Sequence, residues 1–378
     1  MVSRLNAFPL RLALLALFVP CAACTPAFDD RSSQVVGPRV LAVRSIPAEA
    51  PPKAAVAYRI LVVDENGTVA KPQLDWQYCT QPKASNELND VAAACFEASP
   101  DILLPLGSGT APSGMMPINA CAQFGPDVPQ PQSHSGGTAG AGGGSNAPSS
   151  SSSSATGAQG RPTDPDSTGG YYQPVILRVS ADQTVVSAFA ETRITCNLAG
   201  STSEQFAAYT LTTRSNENPK LLGVSVPSEN DAELTPEAAD SPLAVAGTSL
   251  VTLRANWPTC PADPICGDET CSPGEDIMSC PADCTPPVKG CGGPESYSYL
   301  DPADHVLRNR HESFRVSWFA TAGSFASDHT GSTEADFTST SSDNTWRAPK
   351  EAGPVFMWVV LRDDRGGVDW QSFRLDVQ

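Results

Sequence analysis

The sequence is poor in charge, and in basic residues above all. Only 17% of its 378 residues are charged, and 24 lysines and arginines stand against 41 aspartates and glutamates, for a net charge of −17. Because no cluster of basic residues could follow a phosphate backbone, nucleic acid is excluded as a partner. Little charge combined with 35 prolines and 29 glycines also argues against coiled coils and helical bundles, and favours strands and turns.

Long hydrophobic runs are missing as well. The apolar run Leu12–Val19 is far shorter than the roughly 20 residues that a transmembrane helix needs, and no other stretch comes close. It follows a basic start with Arg4 and Arg11 and precedes small residues that end at Cys24. This three-part pattern is typical of a secretory signal peptide, here residues 1–23, and predicts no transmembrane helix in the mature chain.

The segment Cys21–Cys24, read Cys-Ala-Ala-Cys, resembles a bacterial lipobox. The resemblance implies that Cys24 receives lipid and anchors the protein to a membrane, with residues 24–36 as a tether. Cys21 departs from the pattern, because Leu is usual at that position, and a plain cleaved signal is the alternative. Thr25 follows the lipid site where lipoproteins retained at the inner membrane of Gram-negative bacteria carry Asp. The expected location is therefore the outer membrane or cell surface.

Signatures of catalysis are absent from the sequence. No Gly-x-Ser-x-Gly, His-Glu-x-x-His, phosphate-loop or dinucleotide motif occurs. The four histidines are His134, His305, His311 and His329. We expect them at the surface, and we expect Asp363 and Asp364 in a hairpin turn that favours Asp for backbone reasons. The sequence predicts a protein that is not an enzyme.

What the chain does contain is a weak internal repeat of strand-like segments. In the first half they are 38–47, 56–62, 74–79, 172–180 and 185–196, and in the second 219–227, 247–257, 314–318, 356–364 and 368–377. Asp64–Gly67 has the composition of a hairpin turn between two of them. Trp76 and Trp318 fall at matching places and are expected in the cores.

The repeat predicts a mainly β protein of two antiparallel β-sandwiches, residues 37–216 and 217–378, that resemble immunoglobulin-like folds. A third independent domain at about 170–257 is the alternative. Each half carries an insert. Residues 125–170 are rich in Ser and Gly, with almost nothing apolar, and are expected to be a disordered spacer. Residues 258–294 form a cysteine-rich insert.

Ten cysteines remain once Cys21 leaves with the signal and Cys24 takes lipid, an even number that suits disulfides in an oxidising compartment. They are Cys79, Cys95, Cys121, Cys196, Cys260, Cys266, Cys271, Cys280, Cys284 and Cys291. The four in the first half allow three pairings, and the sequence leaves all three open.

The stretch Ile265–Cys284 resembles a short extracellular module of myxobacterial-type surface proteins, with Cys-Gly-Asp-x-x-Cys followed by Cys-Pro-x-Asp-Cys. Glu269 and Ile277 depart from that pattern, since Gly and Cys are usual there. Zinc is disfavoured because exported thiolates oxidise. The acids Asp268, Glu275, Asp276 and Asp283 are candidate calcium ligands. Solvated acids on a stapled loop are the favoured interpretation, and no cofactor is expected.

Together the signal, the sandwiches and the module make the chain similar to a myxobacterial-type surface lipoprotein. The resemblance implies a non-catalytic envelope protein that binds or scaffolds through loops on its immunoglobulin-like domains, with an unknown protein or glycan as partner. The alternative is a carbohydrate-binding accessory module of a surface hydrolase system. Exposed aromatic side chains aligned along one sandwich face would favour that alternative.

Overall fold

The computed structural model describes the chain from Ser32 to Gln378 with several gaps. The described residues are 32–83, 87–88, 90–97, 99–126, 168–181, 184–212, 215–227, 232–234, 236–238, 242–260, 267, 275, 280–284 and 290–378. The predicted signal peptide and almost all of the Ser/Gly-rich insert lie outside these ranges. Residues 32–378 belong to one compact unit.

Strands account for most of the regular structure. They are β1 (Arg39–Ile46), β2 (Glu49–Ala50), β3 (Ala55–Asp64), β4 (Gly67–Thr68), β5 (Gln73–Cys79), β6 (Leu103–Ser108), β7 (Ser113–Met115), β8 (Gly170–Ala181), β9 (Thr184–Thr195), β10 (Gly223–Val226), β11 (Ala232–Glu233), β12 (Leu243–Val245), β13 (Leu250–Asn256), β14 (Ser296–Leu300), β15 (Leu307–His311), β16 (Phe314–Ala320), β17 (Ser324–Phe325), β18 (His329–Ser332), β19 (Ser341–Arg347), β20 (Gly353–Arg362) and β21 (Val368–Val377). The helices are α1 (Ala120–Phe124) and α2 (Ser203–Thr212), with single 3₁₀ turns at Ala93–Phe96 and Glu334–Asp336.

The first sandwich consists of two facing sheets. One has the order β1-β3-β4, with β7 also paired to β3, and the other has the order β2-β9-β8-β5-β6. The pairs are antiparallel except β2 with β9. The predicted turn between β3 and β4 is present: Gly67 adopts a φ of +124°, and the Asn66 N–H donates to Asp64 Oδ1 over 2.7 Å.

The second sandwich repeats this plan. Its sheets have the orders β11-β10-β13-β19-β17 and β12-β21-β20-β16-β18, and β12 with β21 is again a parallel pair. In each half a short strand crosses to the opposite sheet and pairs with the last strand of that half. This short strand is β2 beside β9 in the first sandwich and β12 beside β21 in the second. The strand order matches the immunoglobulin plan of two antiparallel sheets with Greek-key connections, and it confirms the predicted fold class.

Most of the buried apolar side chains of the described residues fall in three layers. One lies inside the first sandwich and includes Trp76, and another lies inside the second and includes Trp318, so both tryptophans are core residues as predicted. The third layer lies between the sandwiches, and we call it the seam. The seam is made of Val35, Leu41, Ala42, Leu61, Val63, Phe319, Trp358, Val360 and Val368. It packs β1 and β3 against β16, β20 and β21, which places four sheets in succession.

Two strands that read as almost continuous apolar runs are buried on both faces. In β20, Val359 faces the core of the second sandwich, whereas Trp358 and Val360 face the seam. In β8, Leu177 faces the first core, whereas Ile176 packs under the segment around the 3₁₀ turn at Ala93–Phe96. Burial on both sides explains why neither strand shows the polar alternation of a half-exposed sheet.

Some elements lie outside the repeated strand plan. The segment 90–97 contains the 3₁₀ turn Ala93–Phe96 and lies as a cover over β8. Helix α2 and the separate β14–β15 hairpin had no clear sequence signal. Strands β5 and β8, which stand before and after the insert, pair directly in one sheet.

Candidate functional site

Several predicted site residues lie outside the described part of the chain. They are Cys24, Cys266, Cys271, Asp268 and Asp276. Among the described cysteines the disulfides are Cys79–Cys95, Cys121–Cys196 and Cys260–Cys291, and Cys280 and Cys284 are disulfide-bonded as well. The first bridge fastens the cover over β8. The second ties α1 to the residue after β9, so it joins the chain on either side of the insert.

Two of the calcium candidates, Glu275 and Asp283, lie beside Cys280, with their ligand-type atoms all within 4.8 Å of one another. Cys280 is in a disulfide and offers no thiolate. Asp283 accepts a hydrogen bond from the Gly267 N–H. Calcium takes about six to eight oxygen ligands, so these two carboxylates alone do not complete a calcium site.

His329 is in contact with a serine hydroxyl, a pair that the sequence analysis did not anticipate. Its Nδ1 lies 3.2 Å from Ser317 Oγ across the β16–β18 pair, and Arg362 Nη1 donates to the same hydroxyl over 3.4 Å. Burial, Arg315 and Arg362 lower the pKa of His329, and Asp328 only partly offsets them. A general base must become an imidazolium, which these cations oppose. The contact is therefore a poor catalytic dyad.

The seam is the first of two features that hold the sandwiches together. Trp358 is fully buried in it, and its Nε1–H donates to Thr68 Oγ1 of the first sandwich over 2.8 Å. A tryptophan buries about 200 Å², worth roughly 5 kcal/mol as an upper estimate. At the margin of the seam, Arg44 pairs with Asp369 at 2.6 Å and lies over the ring of Trp370.

The linker between the sandwiches is fixed to both of them. The Asn216 N–H donates to Glu49 Oε2 over 2.8 Å, and its side-chain amide donates to Asp363 over 3.3 Å. Two residues later, Asn218 Nδ2 donates to the carbonyl of Ser45 over 2.8 Å. Glu49 and Ser45 belong to the first sandwich and Asp363 to the second, so the linker bonds to both.

Around the linker lies the second feature, a buried ionic network centred on Arg365. The guanidinium donates to Glu312 Oε1 over 2.7 Å and to Glu295 Oε2 over 2.8 Å, and it lies 4.6 Å from the ring centroid of Tyr297. Asp363 accepts the backbone N–H of Arg365 over 2.9 Å. All three carboxylates and the guanidinium are buried. Each carboxylate therefore depends on these partners in place of water.

Burial changes the protonation of this network. It raises the pKa of Glu295 to about 7 and that of Glu312 well above its ordinary value, although Arg365 opposes both shifts. Burial also raises the pKa of Asp363. For Arg365 burial acts in the opposite sense, but the surrounding carboxylates hold its pKa above the ordinary value. Arg365 therefore stays charged, whereas the three carboxyl groups hold a proton more readily than ordinary carboxyl groups do.

On the side of the first sandwich, Arg193 and Glu49 complete the network. Arg193 Nε donates to Glu49 Oε2 over 3.1 Å, and Thr195 Oγ1 donates to Glu49 Oε1 over 3.0 Å. Burial alone would raise the pKa of Glu49, but Arg193 and Arg365 lower it on balance. Arg365 of the second sandwich thus acts electrostatically on a carboxylate of the first.

A cleft of about 540 Å³ borders the network at the surface. Its lining includes Arg44, Glu217, Lys220, Cys291 and Asp369. The N–H of Cys291 donates to Glu295 Oε1 over 2.8 Å, which connects the Cys260–Cys291 bridge to the network. Because its lining carries charges of both signs, this cleft is a polar border of the junction.

Sequence reasoning missed the ionic network because its residues come from five separate segments. Asp363 was interpreted as a turn residue, and it does cap that turn: its Oδ1 accepts the N–H groups of Arg365 and Gly367. The Arg365–Gly367 stretch resembles any exposed β-turn in sequence. The one available signal was Glu312, an acid two residues before the start of the apolar strand β16.

Neither described helix is long and apolar enough to span a bilayer. No family model and no curated protein matches the chain. The solved structures it resembles include a chimeric titin Z1Z2–Z1Z2 tandem carrying a fibronectin GRGDS peptide. The two sequences are 9% identical, and the match covers 90% of this chain and 99% of the titin chain. Its TM-score is 0.22.

Two larger proteins show similar matches. One is the native conformation of E. coli alpha-2-macroglobulin, with 8% identity, 90% of this chain and 17% of that chain covered, and a TM-score of 0.19. The other is dimeric latent PorU from Porphyromonas gingivalis, with 10% identity, 91% and 34% coverage, and a TM-score of 0.18. This chain spans a minor part of both. At such TM-scores the likenesses add nothing to the argument, and the immunoglobulin-like assignment rests on the strand order described above.

Proposed function

We propose that the protein is a non-catalytic binding or scaffolding lipoprotein of a cell envelope, anchored by lipid on Cys24 at the outer membrane or cell surface. The observation that carries the scaffolding role is the double junction of seam and ionic network, which joins two immunoglobulin-like sandwiches into one unit. Loops on such a unit keep fixed mutual positions, which suits presentation of a binding surface.

The carbohydrate-binding alternative depended on a row of exposed aromatic side chains. Five of the six tryptophans, at 76, 257, 318, 346 and 358, are at most 1% exposed, and Trp370 packs on the seam. The exposed phenylalanines of the described chain are Phe96, Phe189 and Phe337. Phe337 stacks on His311, and the other two lie on the first sandwich in contact with each other. Because these rings form no aligned platform, we favour a protein partner.

The location is tested by metabolic labelling. Expressed in a Gram-negative host with a clickable fatty acid, the full chain is expected to take up label and to fractionate with the outer membrane. Cys24→Ser should lose both properties, whereas Cys21→Ser should keep the label. Label that persists in the Cys24→Ser protein would overturn the anchor.

The binding role is tested by crosslinking the anchored full-length protein in intact cells, and then identifying the captured proteins. A reproducible partner that crosslinks to the sandwiches is the expected result. The non-catalytic part is tested with panels of peptide, ester and glycan substrates. Turnover that disappears in Ser317→Ala or in His329→Ala would overturn it.

A further inference from the structure

The first sandwich exposes a strand edge. Strand β9 pairs along its whole length with β8, but on its other side, among the residues that the structure describes, only Arg193 and Ile194 are paired, with β2. Within the described part of the chain, residues 185–191 have no strand on that side. An open strand edge presents a row of backbone N–H and C=O groups that another strand can bind.

The corresponding last strand of the second sandwich, β21, is covered along its edge. Strand β12 pairs with its final three residues. Ahead of that pair, the Glu237 N–H donates to the carbonyl of Ser372 over 3.0 Å, and Asp369 accepts the Leu221 N–H over 2.9 Å. The two sandwiches share one plan, so the uncovered edge of β9 is a local feature of the first.

The sequence of the open edge lacks the usual protection against pairing. Residues 185–190 read Val-Val-Ser-Ala-Phe-Ala, with no charge, no proline and no glycine. Natural edge strands that must stay unpaired commonly carry Lys, Pro or a bulge. Val186, Ala188 and Ala190 pack on the first core, whereas Val185 is 64% and Phe189 40% exposed. The inward face of β9 therefore fixes the register of the strand in its sheet. The outward face, with Val185 and Phe189, is accessible to a binding partner.

An apolar cleft lies directly beside this edge. It has a volume of about 500 Å³ and is lined by Leu88, Asp90, Val91, Phe96 and Phe189. The rings of Phe96 and Phe189 meet edge to face, with centroids 6.3 Å apart. The Cys79–Cys95 bridge holds the segment that carries Phe96. A side chain from an added strand would find a formed pocket there.

The rim of the cleft is acidic. Glu191, at the end of the open edge, and Asp90 are both exposed, and Glu87 lies close by, where it accepts the Ala93 N–H. Lys83 is the basic residue that faces Glu191. Partial shielding of its carboxyl group from water raises the pKa of Glu191, and Asp90 adds to the rise more than Lys83 opposes it. A cationic side chain would relieve this repulsion.

We propose that residues 185–191 of β9 bind an extended, Lys- or Arg-bearing segment of another protein by strand addition. Its apolar side chains would enter the cleft beside Phe189, and its cationic side chains would meet Glu191 and Asp90. This inference specifies the partner class of the binding function proposed above and rests on it. A second copy of the chain is a poor occupant, because it brings the same acids to the edge and carries a net charge of −17.

The probe is a fluorescent peptide of about nine residues with Thr at its even positions and alternating Val and Lys at its odd positions, so that Val and Lys share the face that meets the cleft and its acidic rim. This Val/Lys peptide is titrated onto the full-length protein in detergent micelles. We expect saturable binding, and hydrogen exchange slowed at the amides of 185–191 but unchanged in β21. The same peptide with a central proline, or with Glu in place of Lys, should bind at least about tenfold more weakly. The proline removes ladder bonds, and the glutamates oppose the acidic rim.

The decisive variant is Glu191→Lys, which reverses charge at an exposed position and should weaken the Val/Lys peptide at least about tenfold. Glu351→Lys is the matched control, because Glu351 is an exposed acid of the second sandwich and gives the same change in net charge. Phe189→Ala, which opens the cleft, should weaken binding as well. Equal affinities for Glu191→Lys and Glu351→Lys would overturn the site.

Three further outcomes would also overturn the β9 site. Concentration-dependent dimerisation abolished by Glu191→Lys would assign the edge to a second copy. If the peptide fails to bind while the partner crosslinked in cells is still captured by the Glu191→Lys protein, the β9 site is wrong and the binding function stands. Loss of the site and of every cellular partner together would overturn the proposed function too.

Discussion

The two sandwiches share a strand order but cover their central strand differently. In the second, the outer face of β20 packs against the first sandwich through Trp358 and Val360. In the first, the outer face of β8 packs under its own short segment, which the Cys79–Cys95 bridge holds in place. The same apolar strand is thus buried by a neighbouring sheet in one case and by a local loop in the other.

This difference separates two roles within one fold. The sheet of the second sandwich that contains β20 has a covered edge at β21 and a covered face, so it serves the junction. The first sandwich uses one sheet for the junction and keeps the edge of its other sheet open at β9 within the described residues. Under the proposed strand addition, the second sandwich would serve the junction and the first would present the binding edge.

The strongest test of the junction is Arg365→Ala. It leaves Glu295, Glu312 and Asp363 buried without their cation, and we expect the free energy of unfolding to fall by about 5 kcal/mol. Urea denaturation followed by tryptophan fluorescence measures it.

The control is Arg254→Ala, which breaks an exposed pair with Asp343 in the second sandwich and should cost less than about 1 kcal/mol. Similar losses in the two variants would mean that the network contributes no more than a surface ion pair.

The cover of β20 by a neighbouring sheet and the cover of β8 by a loop can be compared by one substitution in each. Trp358→Ala empties the seam and should cost roughly 4 kcal/mol, whereas Ile176→Ala under the loop should cost roughly 3 kcal/mol. In hydrogen exchange, Trp358→Ala is expected to expose amides of β1 and β3 as well as β20. Ile176→Ala should affect the cover at 90–97. Exchange confined to β20 in the Trp358→Ala protein would contradict the coupling of the sandwiches.

The two disulfides of the first sandwich are expected to differ less in their contributions to the free energy of unfolding. By loop-closure entropy, replacing Cys121 and Cys196 by Ser opens a loop with a sequence separation of 75 and should cost about 4 kcal/mol. Replacing Cys79 and Cys95, with a separation of 16, should cost about 3 kcal/mol. Denaturation midpoints of the two double variants test this order. We also expect only the Cys79/Cys95 variant to weaken binding of the Val/Lys peptide.

Much of the fold follows from sequence because its signals are local. Alternation in β3 and β5, the Asn66-Gly67 turn and the recurrence of two long apolar strands are enough to predict the repeat. The matching positions of Trp76 and Trp318 follow from that alignment, and both are buried in their cores. Hydrophobic periodicity predicts which face of a strand is buried.

The seam and the network could not be predicted in the same way. A continuous apolar run shows that both faces of β20 are buried, but it does not identify what covers the second face. Arg365 meets Glu295 and Glu312 only after a turn, a hairpin and the linker have been placed, over separations of 70 and 53 residues. The open edge of β9 depends on where β2 ends, which its sequence does not reveal.

The smallest expected effect is a pH dependence that distinguishes buried from exposed carboxyl groups. Glu295 has a pKa raised to about 7 by burial, against an ordinary value near 4.5. The folded protein therefore binds more protons than the unfolded chain between these two values. The stabilisation is complete below about pH 4.5 and is lost as pH rises to about 7, by at most about 3 kcal/mol. Glu49, whose pKa is lowered, acts with the opposite sign and only below its ordinary value.

Glu295→Gln should flatten the fall in stability between pH 4.5 and 7, because the amide keeps the shape of the side chain without titrating. The comparison is Glu191→Gln at the open edge of the first sandwich, where the pKa is also raised but the side chain is exposed. Solvent screening makes the Glu191 contribution smaller, so its replacement should change the slope less. Urea denaturation at half-unit intervals of pH measures both slopes. If Glu191→Gln flattened the profile more than Glu295→Gln, the surface carboxyl and not the buried junction would control the pH response.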